Sequence, residues 1–152
     1  MSKVFKIGIT NINNKKIEEF DSIDVVANKG ILGDRHFKDF NDPYCQLSLI
    51  ESENIDYYNI KYGLNIPYID FRRNIITKGI QLNELVGKKF KVGEVEVEGI
   101  DLCRPCKHLT EMLGETNILK EFLRRGGLRC HILTSSKIKV GEIGRASCRE
   151  RV

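Results

Sequence analysis

Apolar and polar residues alternate along most of the chain, which is the period-2 mark of half-buried strands. Phe5, Ile7 and Ile9 alternate with Lys6, Gly8 and Thr10. Ser22 to Ala27 is a second short apolar run, and Gln46 to Ile50 puts Leu47 and Leu49 on one face. Phe90, Val92, Val95 and Val97 flank Gly93-Glu94, which predicts a hairpin. Leu128, Cys130 and Ile132 alternate again, and Ile138 and Val140 follow a Ser-Ser turn. Helical spacing is rarer. Ser48 and Glu51 have capping-box spacing ahead of Ile55, Tyr58 and Tyr62, and Gly63 ends that run. A second helix is expected from Thr116 or Asn117, burying Ile118, Leu119, Phe122 and Leu123 and stopping at Gly126-Gly127. A short helix after Pro105 is also expected. The pattern predicts a mainly β barrel with helical insertions, an α+β arrangement. The last residues, Gly144 to Val152, lack the alternation and are crowded with arginine. They read as a disordered tail or foreign sequence.

Composition narrows the class. The 152 residues suffice for one domain with a real core, and no internal repeat or linker divides them. No apolar run approaches the roughly 18 residues a membrane span needs. The first residues, MSKVFKIGIT, lack the apolar stretch of a secretory signal, so the cytoplasm is the expected location. The 25 basic residues exceed the 21 acidic ones only slightly, and the two are mixed. That argues against nucleic-acid binding and fits small anionic ligands better. The five cysteines, Cys45, Cys103, Cys106, Cys130 and Cys148, are an odd number, so reduced thiols are expected rather than a disulfide framework.

The most informative stretch is Leu102-Cys103-Arg104-Pro105-Cys106-Lys107-His108. It follows a predicted strand and opens a predicted helix. A cysteine there feels the positive end of the helix dipole, and Arg104 and Lys107 add charge. Both effects favour thiolate over thiol at Cys106 and suit a nucleophile or a metal ligand. The same Cys-x-x-Cys reads as half a zinc site completed by Cys130 and His131, as a thioredoxin-like redox pair, or as two structural cysteines.

Three further segments carry polar groups beside turns. Gly30-Ile31-Leu32-Gly33-Asp34-Arg35-His36 pairs turn-forming glycines with a guanidinium suited to phosphate or carboxylate. Its competing reading is a hairpin loop with solvated charges. Arg72-Arg73-Asn74 precedes an apolar run and either aims donors into a pocket or ends a strand at the surface. Gly126-Gly127-Leu128-Arg129-Cys130-His131 is a glycine turn leading into a strand. There Cys130 shares the core face of Leu128 and Ile132, while Arg129 and His131 face the other way.

Taken in order, these blocks resemble a standalone bacterial-type member of the MOSC domain family, named for the C-terminal domain of molybdenum-cofactor sulfurase. The resemblance rests on Gly30 to His36, Gln46 to Ile50, Arg72 to Ile75, Leu85-Val86-Gly87, Cys103 to Cys106, Gly126 to Leu128 and Val140-Gly141-Glu142. It covers residues 4–143 and leaves 144–152 as the atypical tail. It implies a MOSC-type β-barrel, pyruvate-kinase β-barrel-like in architecture. It further implies a module that carries sulfur on a cysteine, or binds the molybdenum cofactor (molybdopterin) with that cysteine as molybdenum ligand, tightly or in transit. By motif position that cysteine is Cys106, and Cys103 is an additional thiol that could resolve a persulfide. Arg35, His36, Arg72, Arg73, Asn74 and Lys107 then line a cofactor pocket.

The sequence shows no pyridoxal-phosphate Schiff-base lysine motif and no iron–sulfur segment. Sulfur is therefore expected from a partner such as a cysteine desulfurase, and the acceptor is a molybdoenzyme or cofactor-biosynthesis protein. No nucleic-acid or membrane partner is expected. Two other functions stay open: a small molybdenum-dependent reductase of N-hydroxylated compounds with a partner electron donor, and a non-catalytic zinc or structural module. Family members usually continue a final strand beyond the Val-Gly-Glu segment, where this chain carries GRASCRERV.

Overall fold

A computed structural model describes residues 2–9, 17–34, 37, 46–103, 117–142 and 144–146. The chain is mainly β, as the alternation predicts. Its strands are β1 (Lys3–Ile9), β2 (Glu18–Phe20), β3 (Ser22–Val26), β4 (Gly30–Ile31), β5 (Leu47–Glu51), β6 (Ile75–Lys78), β7 (Lys89–Val92), β8 (Val95–Leu102), β9 (Leu128–Ile132), β10 (Ser136–Lys139) and β11 (Gly144–Ala146). Helix α1 (Ser52–Tyr62) lies between β5 and β6, and the one-turn helix α2 (Ile118–Glu121) precedes β9. Eight strands form a curled half-barrel in the order β11-β7-β8-β9-β5-β6-β1-β2, and β10-β3-β4 form a second sheet.

The strands with clean alternation bury one face. Phe90, Val92, Val95 and Val97 of the β7–β8 hairpin are almost fully buried, as are Leu128, Cys130 and Ile132 of β9. They pack with Ile23, Val25, Ile31 and Ile138 of the small sheet, so the core lies between the two sheets. Strands β5 and β6 differ, because they pair in parallel with α1 as the crossover. Leu49 and Ile75 enter the main core, while Ile50 and Ile76 enter a second cluster with Ile55, Tyr58, Phe71, Ile118 and Phe122. Burial on both faces explains the adjacent apolar pairs Leu49-Ile50 and Ile75-Ile76. In that second cluster Phe122 stacks at 5.3 Å from Tyr58 and 5.1 Å from Phe71.

Three local expectations need correction. Ser48 and Glu51 do not cap α1, because Ser48 lies within β5 and Glu51 stands immediately before the helix without a side-chain cap bond. Tertiary hydrogen bonds take their side chains instead: the Ser48 hydroxyl turns to Asn74, and the Glu51 carboxylate accepts from the Leu82 backbone at 3.1 Å. The helix before Gly126 is one turn long, and Leu123 is 67% exposed rather than buried. That turn places Ile118 and Phe122 against the second cluster. Gly144–Ala146, assigned above to the irregular tail, pair with β7 and continue the sheet. The Gly63 stop holds: it adopts φ 65° and its N–H closes the last turn.

Candidate functional site

Strand β8 delivers Cys103 to the site. Its ladder with β9 shifts register between Gly99 and Asp101, a bulge that re-aims the strand end. The ladder ends at Leu102 opposite Leu128. One more backbone bond follows, from Cys103 N–H to the Gly127 carbonyl at 2.7 Å. The turn that meets it must be glycine. Gly127 has φ +109°, and a Cβ there would run into the Leu49 carbonyl oxygen. A Cβ on Gly126 would lie 2.7 Å from the Cys103 carbonyl oxygen. Backbones from β5, β8 and the α2–β9 turn therefore touch at one place, which only residues without side chains permit.

Arg73 enters this crossing from the segment before β6. The preceding 3₁₀ turn (Tyr68–Phe71) ends at Arg72, whose left-handed φ of 63° reverses the chain while its N–H donates to Ile69. The Arg73 Nε then donates to the Gly126 carbonyl at 2.8 Å, and Nη1 reaches the Phe71 carbonyl at 3.5 Å. The same guanidinium lies against the Cys103 thiol. Burial pushes the Cys103 thiol above its ordinary range, opposed by the charges of Arg73 and Arg129 and assisted by Asp101. Cys103 is 6% exposed. Arg129, beside it on β9, makes a bidentate pair with Asp101, both bonds 2.9 Å long.

The structure thus brings together Arg73, Cys103 and the Gly126-Gly127 turn. Arg72 sits one residue away at the turn. Asn74 is held inward: its side chain bonds Ser48 and the Gly8 carbonyl, and it is 5% exposed. Cys106, Arg35, His36 and Lys107 lie outside the described residues. So does the helix expected after Pro105. Cys130 is in the core, where burial holds its thiol well above the usual value. His131 points the other way, 2.6 Å from Asn28 Oδ1. Neighbours on a strand face opposite sides, so this pair does not converge on one ion. Among the described residues no group of three or more His, Cys, Asp or Glu side chains is placed to hold a metal. None of the described helices is long and apolar enough to cross a membrane.

Sequence reasoning did not find Asp101 or the backbone carbonyls of Phe71 and Gly126 as parts of this site. Asp101 becomes the partner of Arg129 only through the bulged register, which leaves no local signal.

This combination is a curled β half-barrel that sets a guanidinium against a thiol at a strand end. The MOSC domain model matches residues 33–143, and the chain belongs to the MOSC domain family, which is associated with the molybdenum cofactor. Among solved structures the chain is similar to the YuaD protein from Bacillus subtilis, with 18% identity, 95% of each chain covered and a TM-score of 0.80. It is also similar to YiiM from Geobacillus stearothermophilus, with 15% identity, 96% of this chain and 75% of that one covered, and a TM-score of 0.74. YiiM from Escherichia coli shares 17% identity over 96% of this chain and 69% of that one, with a TM-score of 0.70. At these identities the likeness is one of fold. No curated protein matches the sequence.

The described residues suit the cofactor in kind. Guanidinium groups are apt for a phosphate, and a thiol segment is apt for a soft metal centre. Asn74 is already satisfied within the fold.

Proposed function

We propose that the chain is a sulfur-carrier or molybdenum-cofactor-binding MOSC module in molybdopterin-cofactor sulfuration or delivery, with Cys106 as its working thiol. The observation that supports this most is the placement of Arg73 and the Gly126-Gly127 turn against Cys103, three residues ahead of Cys106. Cys103 leaves β8 beside this cationic crossing, and Cys106 follows it three residues later in the sequence. Burial raises the Cys103 thiol above its ordinary range, which disfavours it as the attacking thiolate. In sulfur transfer, the Cys106 thiolate attacks the outer sulfur of a donor persulfide. The new S–S bond forms on Cys106, and the donor leaves as its own thiolate. The donor is a partner such as a cysteine desulfurase, and the acceptor is a molybdoenzyme or cofactor-biosynthesis protein.

When bound, the molybdenum cofactor supplies a metal centre for the thiolate and an anionic phosphate. Arg35, His36, Arg72, Arg73 and Lys107 would hold that phosphate, Arg73 with the donors that its bonds to Gly126 and Phe71 leave over. The test is native alkylation against pH, with the modified residues mapped by mass spectrometry. Wild type is compared with Cys106→Ser and Cys103→Ser, and bound molybdenum is measured in parallel. Reaction of Cys106 well below about pH 8.5 is expected. A Cys106 no faster than Cys148 sinks the reading. Bound molybdenum with turnover of N-hydroxylated compounds, given an electron donor, would instead select a reductase.

A further inference from the structure

Helix α1 and the loop that follows it enclose a cleft of about 450 Å³, within the size range of small-molecule sites. None of its lining residues belongs to the Cys103 crossing. Hydrogen bonds fold the loop back onto the helix and fix the walls. Gly63 and Leu64 donate their N–H groups to Ile60 O and Asn59 O at 3.4 and 2.8 Å. The Asn59 side chain accepts from the Ile66 N–H and donates to the Ile66 carbonyl, both at 3.1 Å. Tyr68 Oη donates to Asp56 Oδ1 at 2.6 Å. Walls held in this way spare a ligand the cost of ordering them.

The chemistry of the cleft is one-sided. Ile60, Leu64, Ile66 and Pro67 give it apolar walls, and Asp56 is its ionic group. Tyr68 takes Oδ1 of Asp56 and leaves Oδ2 for a donor from a ligand. With its hydrogen directed at Asp56, the phenol offers only oxygen lone pairs. Its pKa is pushed up to about 12, first by that bond, then by burial and by the charges of Asp56 and Glu53, so it stays a neutral acceptor at neutral pH. Both charges that bear on it are negative. Lys61, the cation nearest to Asp56 in sequence, is engaged by Glu121 at 2.8 Å.

We propose that this cleft binds a small organic cation, an ammonium or guanidinium group on an apolar arm, with Asp56 and the Tyr68 oxygen taking the charged head. An acceptor-only end repels anions, and the aliphatic walls suit a hydrocarbon chain or ring. Binding here requires neither a working Cys106 nor a molybdenum centre.

The test titrates the full ¹⁵N-labelled chain with phenethylammonium at neutral pH, followed by NMR. Phenylethanol and phenylacetate serve as the neutral and anionic counterparts. The amine, at up to millimolar concentration, should shift the amides of Asp56, Asn59, Ile66 and Tyr68 in a saturable way. It should bind roughly tenfold more tightly than the alcohol, the scale of a charge-assisted hydrogen bond. Asp56→Asn should remove that preference, because the amide keeps an acceptor for Tyr68 but not the charge. Ile60 is 82% exposed at the rim, so Ile60→Lys should leave the fold intact. The added cation should weaken the amine and spare the alcohol, which carries the test if Asp56→Asn does not fold. Absence of a saturable shift, or shifts centred outside α1 and residues 63–68, would overturn the proposal. Equal binding of all three compounds would overturn it too, by reducing the cleft to an unselective apolar groove. So would an amine preference that survives Asp56→Asn intact.

Discussion

Asn74 and Ser48 are joined by three hydrogen bonds. The Asn74 Oδ1 accepts from the Ser48 N–H at 3.1 Å and from its hydroxyl at 3.2 Å, and the Ser48 Oγ accepts from the Asn74 N–H at 3.1 Å. The Asn74 Nδ2 donates to Gly8 O at 3.2 Å, and the Gly8 N–H donates back to the Asn74 carbonyl at 2.8 Å. This one residue therefore registers β5 and β1 at the start of β6. Asn74→Ala would leave the Ser48 N–H and the Gly8 carbonyl unsatisfied in the interior, costing about 2–4 kcal/mol. Urea unfolding checks this. A loss under about 0.5 kcal/mol, the usual scale of a surface change, would return Asn74 to the ligand pocket.

Gly127 and Gly141 both hold positive φ, but only Gly127 is crowded. Around Gly141 nothing lies within 4 Å of an added Cβ, whereas at Gly127 that atom meets the Leu49 carbonyl. Gly141→Ala should cost only the backbone strain, about 1–3 kcal/mol. Gly127→Ala should cost more, because β5 or the turn must also shift. Paired thermal melts decide it, and equal losses would remove the steric argument for the crossing.

The buried thiols predict alkaline loss of stability. Burial raises Cys103 and Cys130 above the ordinary 9.0 in the folded chain. Their contribution is complete below the unfolded thiol value. It declines as pH rises from there toward the raised folded values, by at most about 1.4 kcal/mol per pH unit for each thiol. Unfolding measured from pH 7 to 10 should therefore show a shallower alkaline decline in Cys130→Val than in wild type. Parallel curves would mean that the Cys130 thiol ionises as easily in the folded chain as in the unfolded one.

Glu121 predicts the opposite limb. Its carboxylate accepts from Lys61 Nζ at 2.8 Å and Tyr62 Oη at 2.6 Å, tying α2 to α1. Lys61 first and Tyr62 second hold its pKa below the ordinary 4.5. This contribution is present above the unfolded value and fades as pH falls toward the lowered folded one. Glu121→Gln should flatten the acid limb below about pH 4.5. An unchanged limb would show that the α1–α2 pairing adds nothing to stability.

Legibility in the sequence followed burial geometry. Strands β7, β8 and β9 bury one face, so their alternation was readable residue by residue. Strands β5 and β6 are buried on both faces, and period 2 alone could not reveal that they pair in parallel. The capping-box reading of Ser48 failed because a serine hydroxyl serves a helix start or a strand neighbour equally well. Only the position of Asn74 chose between them.

The candidate site divides in the same way. The sequence by itself determined the family, the glycine turn at 126–127, the thiol segment and the half-buried strands, because each depends on neighbours within a few residues. Tertiary structure alone decided that Arg73 meets Gly126 and Cys103, that Asn74 turns inward to Ser48 and Gly8, and that Asp101 pairs with Arg129. Those contacts join residues at least 26 positions apart. Their geometry is set by sheet register, a bulge and a left-handed turn, and local residue pattern does not encode which distant strand arrives at which register.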